Sequence, residues 1–215
     1  MVDEVQGSFP PSLAQEQQQL TRARIRDAAM EVVARRGFDA TVAEIADISG
    51  VSARTIFRHY ASHDQLILST VTDMFEECGR GPVEGIPRSK EDLDGWLEGI
   101  ARTIHTRNAE IIGDAFWDIH APRHNASGIF VELDAYRREY RTRGVKYLTT
   151  RAWHASGATG DPPDDLVLAF ALNFSAFTTQ ALMVDFEQTP AEIGRLTADL
   201  LKALLKRAVA AAPLR

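Results

Sequence analysis

The chain has 215 residues, 45% hydrophobic and 25% charged, a composition suited to a globular protein of one large or two small domains. Its single cysteine, Cys78, excludes an internal disulfide and fits a reducing compartment. The net charge of −6 argues against nucleic acid only until its distribution is read: Leu20 to His63 holds seven arginines (Arg22, Arg24, Arg26, Arg35, Arg36, Arg54, Arg58) and five acids, so that stretch is +2 and the remainder −8.

Residues 1–19 lack a basic segment followed by an apolar core, which excludes a secretory signal; Pro10-Pro11 and the polar run Gln15–Gln19 predict a mobile leader. A first helix is expected over about Leu20–Arg36, with Ile25, Ala28, Ala29, Val32 and Val33 at helical spacing and Gly37 as a left-handed cap. Thr41-Val42-Ala43-Glu44 has capping-box spacing and opens a second, short helix that Ser49-Gly50 breaks. A third follows Ser52 and reaches about Tyr60. A fourth starts at Ser62, with Gln65 three residues on, and carries Leu66, Ile67 and Val71 to about Cys78. Gly79–Pro87, rich in Gly and Pro, predicts a connection. Beyond it the pattern predicts helices at about 91–106, 109–120, 128–155, 164–187 and 190–211, the last opened by Thr189-Pro190-Ala191-Glu192. The expected class is all-α: a leader (1–19), a three-helix head (20–62) with a connecting helix (63–78), and a larger helical body (79–215).

Thr41 to Tyr60 is the informative stretch. Two short helices crossing steeply need a small residue at the crossing, here Ala46, and a turn residue free of Cβ strain, here Gly50. Ile45, Ile48, Val51 and Ile56 are the expected apolar plug. Ser52 caps the next helix, leaving Arg54, Thr55, Arg58 and His59 as polar residues for a major groove. Arginine suits guanine O6/N7, and the Thr55 methyl suits a thymine methyl.

The segments Thr41–Ala46, Gly50-Val51-Ser52, Thr55–Tyr60 and Ser62–Leu66 resemble the N-terminal signature of the tetracycline-repressor (TetR) family, over about Leu20 to Val71. The resemblance implies a cytoplasmic homodimer with two helix-turn-helix heads in successive major grooves of a palindromic operator. It implies contacts from Thr41, Ser52, Arg54, Thr55, Arg58, His59 and Tyr60. Two positions depart from the pattern. Phe57 stands where a tyrosine often reaches phosphate, and His63 where a lysine commonly does. His63 remains a candidate contact, one that carries a positive charge only when its imidazole is protonated. Arg22, Arg24 and Arg26 are either phosphate or minor-groove contacts, or a solvated face.

In the body, Leu166 to Val184 is apolar nearly all round, yet Asn173, Ser175, Thr178, Thr179 and Gln180 argue for a buried helix over a membrane span. With the stripe Ile193, Leu196, Leu200, Leu201, Leu204, Leu205 and Ala208, it predicts dimerisation through helices 164–187 and 190–211. Candidates for a pocket around a small, largely apolar effector are His105, Phe116, Trp117, His120, Tyr136, Trp153, Phe170, Phe174 and Phe177. Glu110, Asp114 and Asp118, with His120 and His124, read as a solvated face more readily than as a metal site. So does the basic run Arg137, Arg138, Arg141, Arg143 and Lys146. No nucleophile elbow, phosphate loop or dinucleotide fingerprint points to an enzyme, and no cofactor is expected. The sequence thus predicts a DNA-binding regulator, more readily a repressor released by an effector than an activator or an effector-independent architectural binder.

Overall fold

A computed structural model describes residues 12–79, 87, 89–111, 119 and 128–211; these residues form helices and no strand. In order they are α1 (Leu13–Arg36), a 3-10 turn (Gly37–Asp39), α2 (Val42–Ser49), α3 (Ala53–His59), α4 (His63–Gly79), α5 (Lys90–Ile111), α6 (Ile129–Ala155), α7 (Asp164–Asn173), α8 (Ala176–Asp185) and α9 (Pro190–Ala211).

Helix α1 starts seven residues earlier than its apolar spacing suggests. Ser12 and Gln15 form a reciprocal capping box, so Gln15–Gln19 is a solvated helical turn rather than part of a mobile leader. Gly37 ends the helix at φ 57°, ψ −131°, a positive-φ conformation other than the left-handed one expected. The expected connection at Gly79–Pro87 and helix at 109–120 fall almost wholly outside the described residues. Between them α5 runs on to Ile111, past the predicted end near 106 and into the first residues of the expected 109–120 helix.

The long apolar segment at 164–187 is two helices, not one. They bend by 47° at Phe174-Ser175, where the Phe174 amide turns back to Phe170 and the Thr178 hydroxyl donates to the Leu172 carbonyl. From α6, Arg141 donates to the Ala171 carbonyl at 2.8 Å, anchoring the end of α7 just before the bend. Burial pushes the Arg141 pKa down, and neighbouring Arg137 adds to the effect. Arg141 therefore leaves the solvated basic face expected of it, as does Arg137, which lies against Asp134. Among the described residues no single helix is long and apolar enough to cross a membrane.

Two buried apolar clusters organise the chain. One joins Ile25, Val32, Ile45 and Ile56 of the head to Leu66, Ile67, Val71 and Met74 of α4, and continues to Ile119 and to Leu133 of α6. The other packs Leu97 and Ile100 of α5 with Trp153, Leu166, Phe170, Leu201 and Leu205. Helices α5 and α9 approach closely at Gly194, where an added Cβ would sit 2.8 Å from the Arg102 Cα. Between them His105 is wholly buried: Nδ1 lies 2.9 Å from Thr179 Oγ1, and Nε2 2.9 Å from Thr197 Oγ1. Thr179 donates its own proton to the Ser175 carbonyl and also accepts from Asn108. It must therefore accept from His105 Nδ1–H, which leaves Nε2 to accept from Thr197. Burial lowers the His105 pKa to about 4.

Candidate nucleic-acid interface

Helix α2 and the turn that follows it are held by side-chain hydrogen bonds at both ends. Thr41 accepts from the Glu44 amide at 3.3 Å, while the Glu44 carboxylate accepts from the Thr41 amide at 3.0 Å and its hydroxyl at 2.7 Å. These Thr41 bonds hold the Glu44 pKa below the usual carboxylate range. At the other end Gly50 takes the left-handed conformation, φ 64° and ψ 23°. The Arg24 guanidinium reaches from α1 to donate to the Ser49 carbonyl at 2.6 Å, and the Ser49 hydroxyl accepts from the Val51 amide. Arg24 is thus a clamp on the C-terminus of α2, where a cation also suits the helix dipole, and neither a solvated side chain nor a free phosphate ligand. Arg26 pairs with Asp27, and Arg22 lies 5.9 Å from the centre of the Tyr60 ring.

Helix α3 follows from Ser52, whose hydroxyl accepts from the Thr55 amide and lies 3.0 Å from the Thr55 hydroxyl. Ile56 and Val51 are buried against Ile45, as the plug requires; Ile48 is not part of it, being 43% exposed on the outer side of α2. One turn of helix later, the open side of α3 presents Ala53, Arg54, Phe57 and Arg58. At 3.6 residues per turn these four fall within roughly 140° of arc, a single continuous face.

The candidate readers therefore separate. Arg54 and Arg58 stand on the open face, without ion pairs or hydrogen bonds among the described residues. Thr55 is half-buried and engaged with Ser52; His59 is half-buried, with Nε2 enclosed and unpartnered among the described residues. Tyr60 is buried beneath Arg22. Thr41 and Ser52 are exposed caps. His63 Nε2 lies 2.7 Å from the Ala40 carbonyl and Nδ1 3.6 Å from Asp64, tying the start of α4 to the entry of α2. Ala53 was missed because alanine offers no hydrogen bond, and its position only about 60° around the helix from buried Ile56 gives no sign of its exposure.

Six of the pocket candidates of the body fall among the described residues, and these are spread over several surroundings. Phe116, Trp117 and His120, together with Asp114, Asp118 and His124, lie outside the described residues. His105 and Phe170 are fully buried in packed surroundings. Phe174 packs edge-on against Phe170, with ring centres 5.7 Å apart. Phe177 is half-buried on α8. Tyr136 donates to Glu76 of α4 and stacks on Tyr140; burial, followed by the Glu76 bond, raises its pKa to about 12. Only Trp153 lines the cleft of about 810 Å³ between the 157–163 loop, α7 and the end of α9. Its indole donates to the Thr159 carbonyl.

Residues 25–70 match the bacterial regulatory proteins, tetR family. The HTH-type transcriptional regulator BetI of Brucella canis is 34% identical over 102 residues, 47% of this chain and 46% of that protein. The chain thus matches about half the length of this relative. A tetR-family transcriptional regulator from Streptomyces coelicolor superimposes with a TM-score of 0.65 at 15% identity, over 91% of this chain and 90% of that one. The transcriptional regulator FadR from Bacillus subtilis, solved in complex with stearoyl-CoA, gives 0.59 at 15% identity, over 84% and 97%. At such identities these two establish the shared fold. The similarity to the tetR family of bacterial regulatory proteins thus rests on the head, residues 25–70.

Proposed function

We propose that the chain is a sequence-specific DNA-binding transcriptional regulator that acts as a homodimer on a palindromic operator. The observation that carries this reading is the open face of α3: two arginines without partners among the described residues, on a seven-residue helix capped by Ser52 after a turn that Arg24 clamps. Arginine on a rigid helix is the side chain best suited to read guanine O6 and N7, each good pair being worth about 1–3 kcal/mol of discrimination. An acidic body outside a +2 head disfavours adhesion to arbitrary polyanions, so affinity must come from the head's local contacts.

Dimerisation is supported by a face that the single chain leaves uncovered. Leu168 and Leu172 of α7 are 65% and 67% exposed, and Leu196 and Leu200 of α9 are nearly half exposed. The inner stripe of α9, with Ile193, Leu201 and Leu205, is meanwhile spent on its own body. Each pair is spaced by four residues, so each forms one apolar ridge along its helix. Burying both ridges against a second copy produces the two-fold axis that a palindrome requires.

Release by a small, largely apolar effector is the second part of the reading; FadR, of the same fold and solved with stearoyl-CoA, is the precedent. Because α4 joins the head's core to α6, an effector preferring one placement of α4 changes the spacing of the two α3 helices. Repression follows where the operator overlaps a polymerase site, and activation where it lies upstream. Selection of bound sites from random duplexes with the purified full chain tests the core of this. Enrichment of a two-fold symmetric site is expected, with its binding lost in an Arg54→Ala/Arg58→Ala variant; failure to enrich any site refutes the reading.

A further inference from the structure

Phe57 is the anomaly of the α3 face. On α3 itself Ile56 is wholly enclosed while Phe57, the helix's one aromatic side chain, remains 49% exposed; Leu20 of α1 and Ile48 of α2 are exposed too, but neither lies on α3. By helical phase it lies between Ala53 and the Arg54–Arg58 stripe, about 100° around the helix from Ile56. An aromatic ring left in water forgoes a large burial, which is recovered only if a partner covers it. The ring has no donor or acceptor, so neither a phosphate oxygen nor the hydrogen-bonding edge of a base gains from it. The groove offers one apolar group that does: the C5 methyl of thymine.

We propose that Phe57 is a specificity-determining residue that reads thymine methyls in the major groove, beside guanine contacts made by Arg54 and Arg58. The proposal rests on the DNA-binding reading above and deepens it. Phe57 and Arg54 are three residues apart, about 4.5 Å along the helix axis, close to one base-pair step of about 3.4 Å. Each half-site should therefore carry a thymine within about one step of a guanine. Ala53, exposed one turn before Phe57, leaves room for the methyl without competing for it. The same geometry explains how the head works without the phosphate-reaching hydroxyl that a tyrosine would place here: the side chain supplies selectivity in place of general affinity.

The test uses the full chain and duplexes selected from a random pool, with each thymine replaced singly by deoxyuridine, which removes only the methyl. In the unsubstituted protein, one symmetry-related thymine pair should lose about fourfold in affinity per half-site, the worth of one buried methyl. In Phe57→Ala, deoxyuridine at that pair should have no further effect, while Phe57→Leu should retain part of the discrimination. Because Phe57 is exposed, both variants should keep the unsubstituted protein's thermal transition. If no deoxyuridine substitution weakens the unsubstituted protein, or if Phe57→Ala still loses fourfold at the same pair, methyl reading by Phe57 is wrong while DNA binding stands. If no site is selected at all, the DNA-binding reading itself fails.

Discussion

Gly50→Ala isolates the geometry of the turn. Gly50 has φ +64°, a left-handed conformation that costs a residue with a Cβ roughly 1–2 kcal/mol. A Cβ built there would also lie 2.9 Å from Arg24 Nη2, the atom that donates to the Ser49 carbonyl at 2.6 Å. The guanidinium is the end of a flexible chain and moves away easily, but only by lengthening that bond, which is worth about 1 kcal/mol in a part-buried setting. The substitution should therefore cost about 2–3 kcal/mol in all. That corresponds to a fall in melting temperature of roughly 4–12 °C for a chain of this size. Urea titration of Gly50→Ala, Arg24→Ala and the double variant measures the parts. Arg24→Ala should cost about 1 kcal/mol, and the double variant should cost less than the sum of the singles, since the clash and the bond it strains are then both gone. Strict additivity, or a loss for Gly50→Ala below about 1 kcal/mol, would refute the account of Arg24 as a clamp that the turn accommodates only with glycine.

Three further outcomes follow from other parts of the molecule. On the dimer proposed above, Leu168→Glu or Leu172→Glu should leave the circular dichroism spectrum intact, give monomer mass in sedimentation where the unsubstituted chain gives a dimer, and abolish operator binding without touching the head. His105 is held neutral by burial, with a pKa near 4 against about 6.5 when unfolded, so the unfolded chain binds more protons between those values. Stability should then be unaffected by this group above pH 6.5 and fall by on the order of 3 kcal/mol as pH drops toward 4. Urea melts of His105→Gln should lose that part of the pH dependence. Two helical glycines should respond oppositely to alanine in thermal melts. Gly194→Ala presses on the Arg102 backbone and should destabilise by about 1–3 kcal/mol. Gly144→Ala on α6 meets no neighbouring atom within 4 Å and should gain about 0.5–1 kcal/mol.

The head was legible because its constraints are local. Capping boxes, the Gly50 turn and the Ile45–Ile56 plug each depend on residues within a few positions of one another, and the structure forms them as spacing predicted, Ile48 apart. The bonds that were not legible join distant positions. Arg24 meets Ser49 across 25 residues, Arg141 meets Ala171 across 30, and His105 meets Thr197 across 92. An arginine that clamps a carbonyl and one that faces solvent look alike in sequence. The break at Phe174-Ser175 was hidden for a related reason: an apolar run carries no sign of a 47° bend when neither glycine nor proline marks it. Helical phase was legible but does not decide exposure on α3. It places Phe57 and Ala53 on one side of Ile56 and Thr55 and His59 at the same angles on the other; only packing leaves the first pair exposed and the second half-buried.

The apolar cluster that runs from Ile25 through Leu66 and Val71 to Leu133 bears on how this head can be joined to another body. A chimera joined at residue 62 would graft the recognition helix but strip it of the α4 side chains that complete its core, and leave those side chains facing a foreign head. A junction in the 80–89 segment would carry α4 with the head, yet still separate Met74 from Leu133. Exchangeable specificity therefore calls for transplanting the head with α4 and the α6 surface it rests on, or for changing only the outward positions of α3.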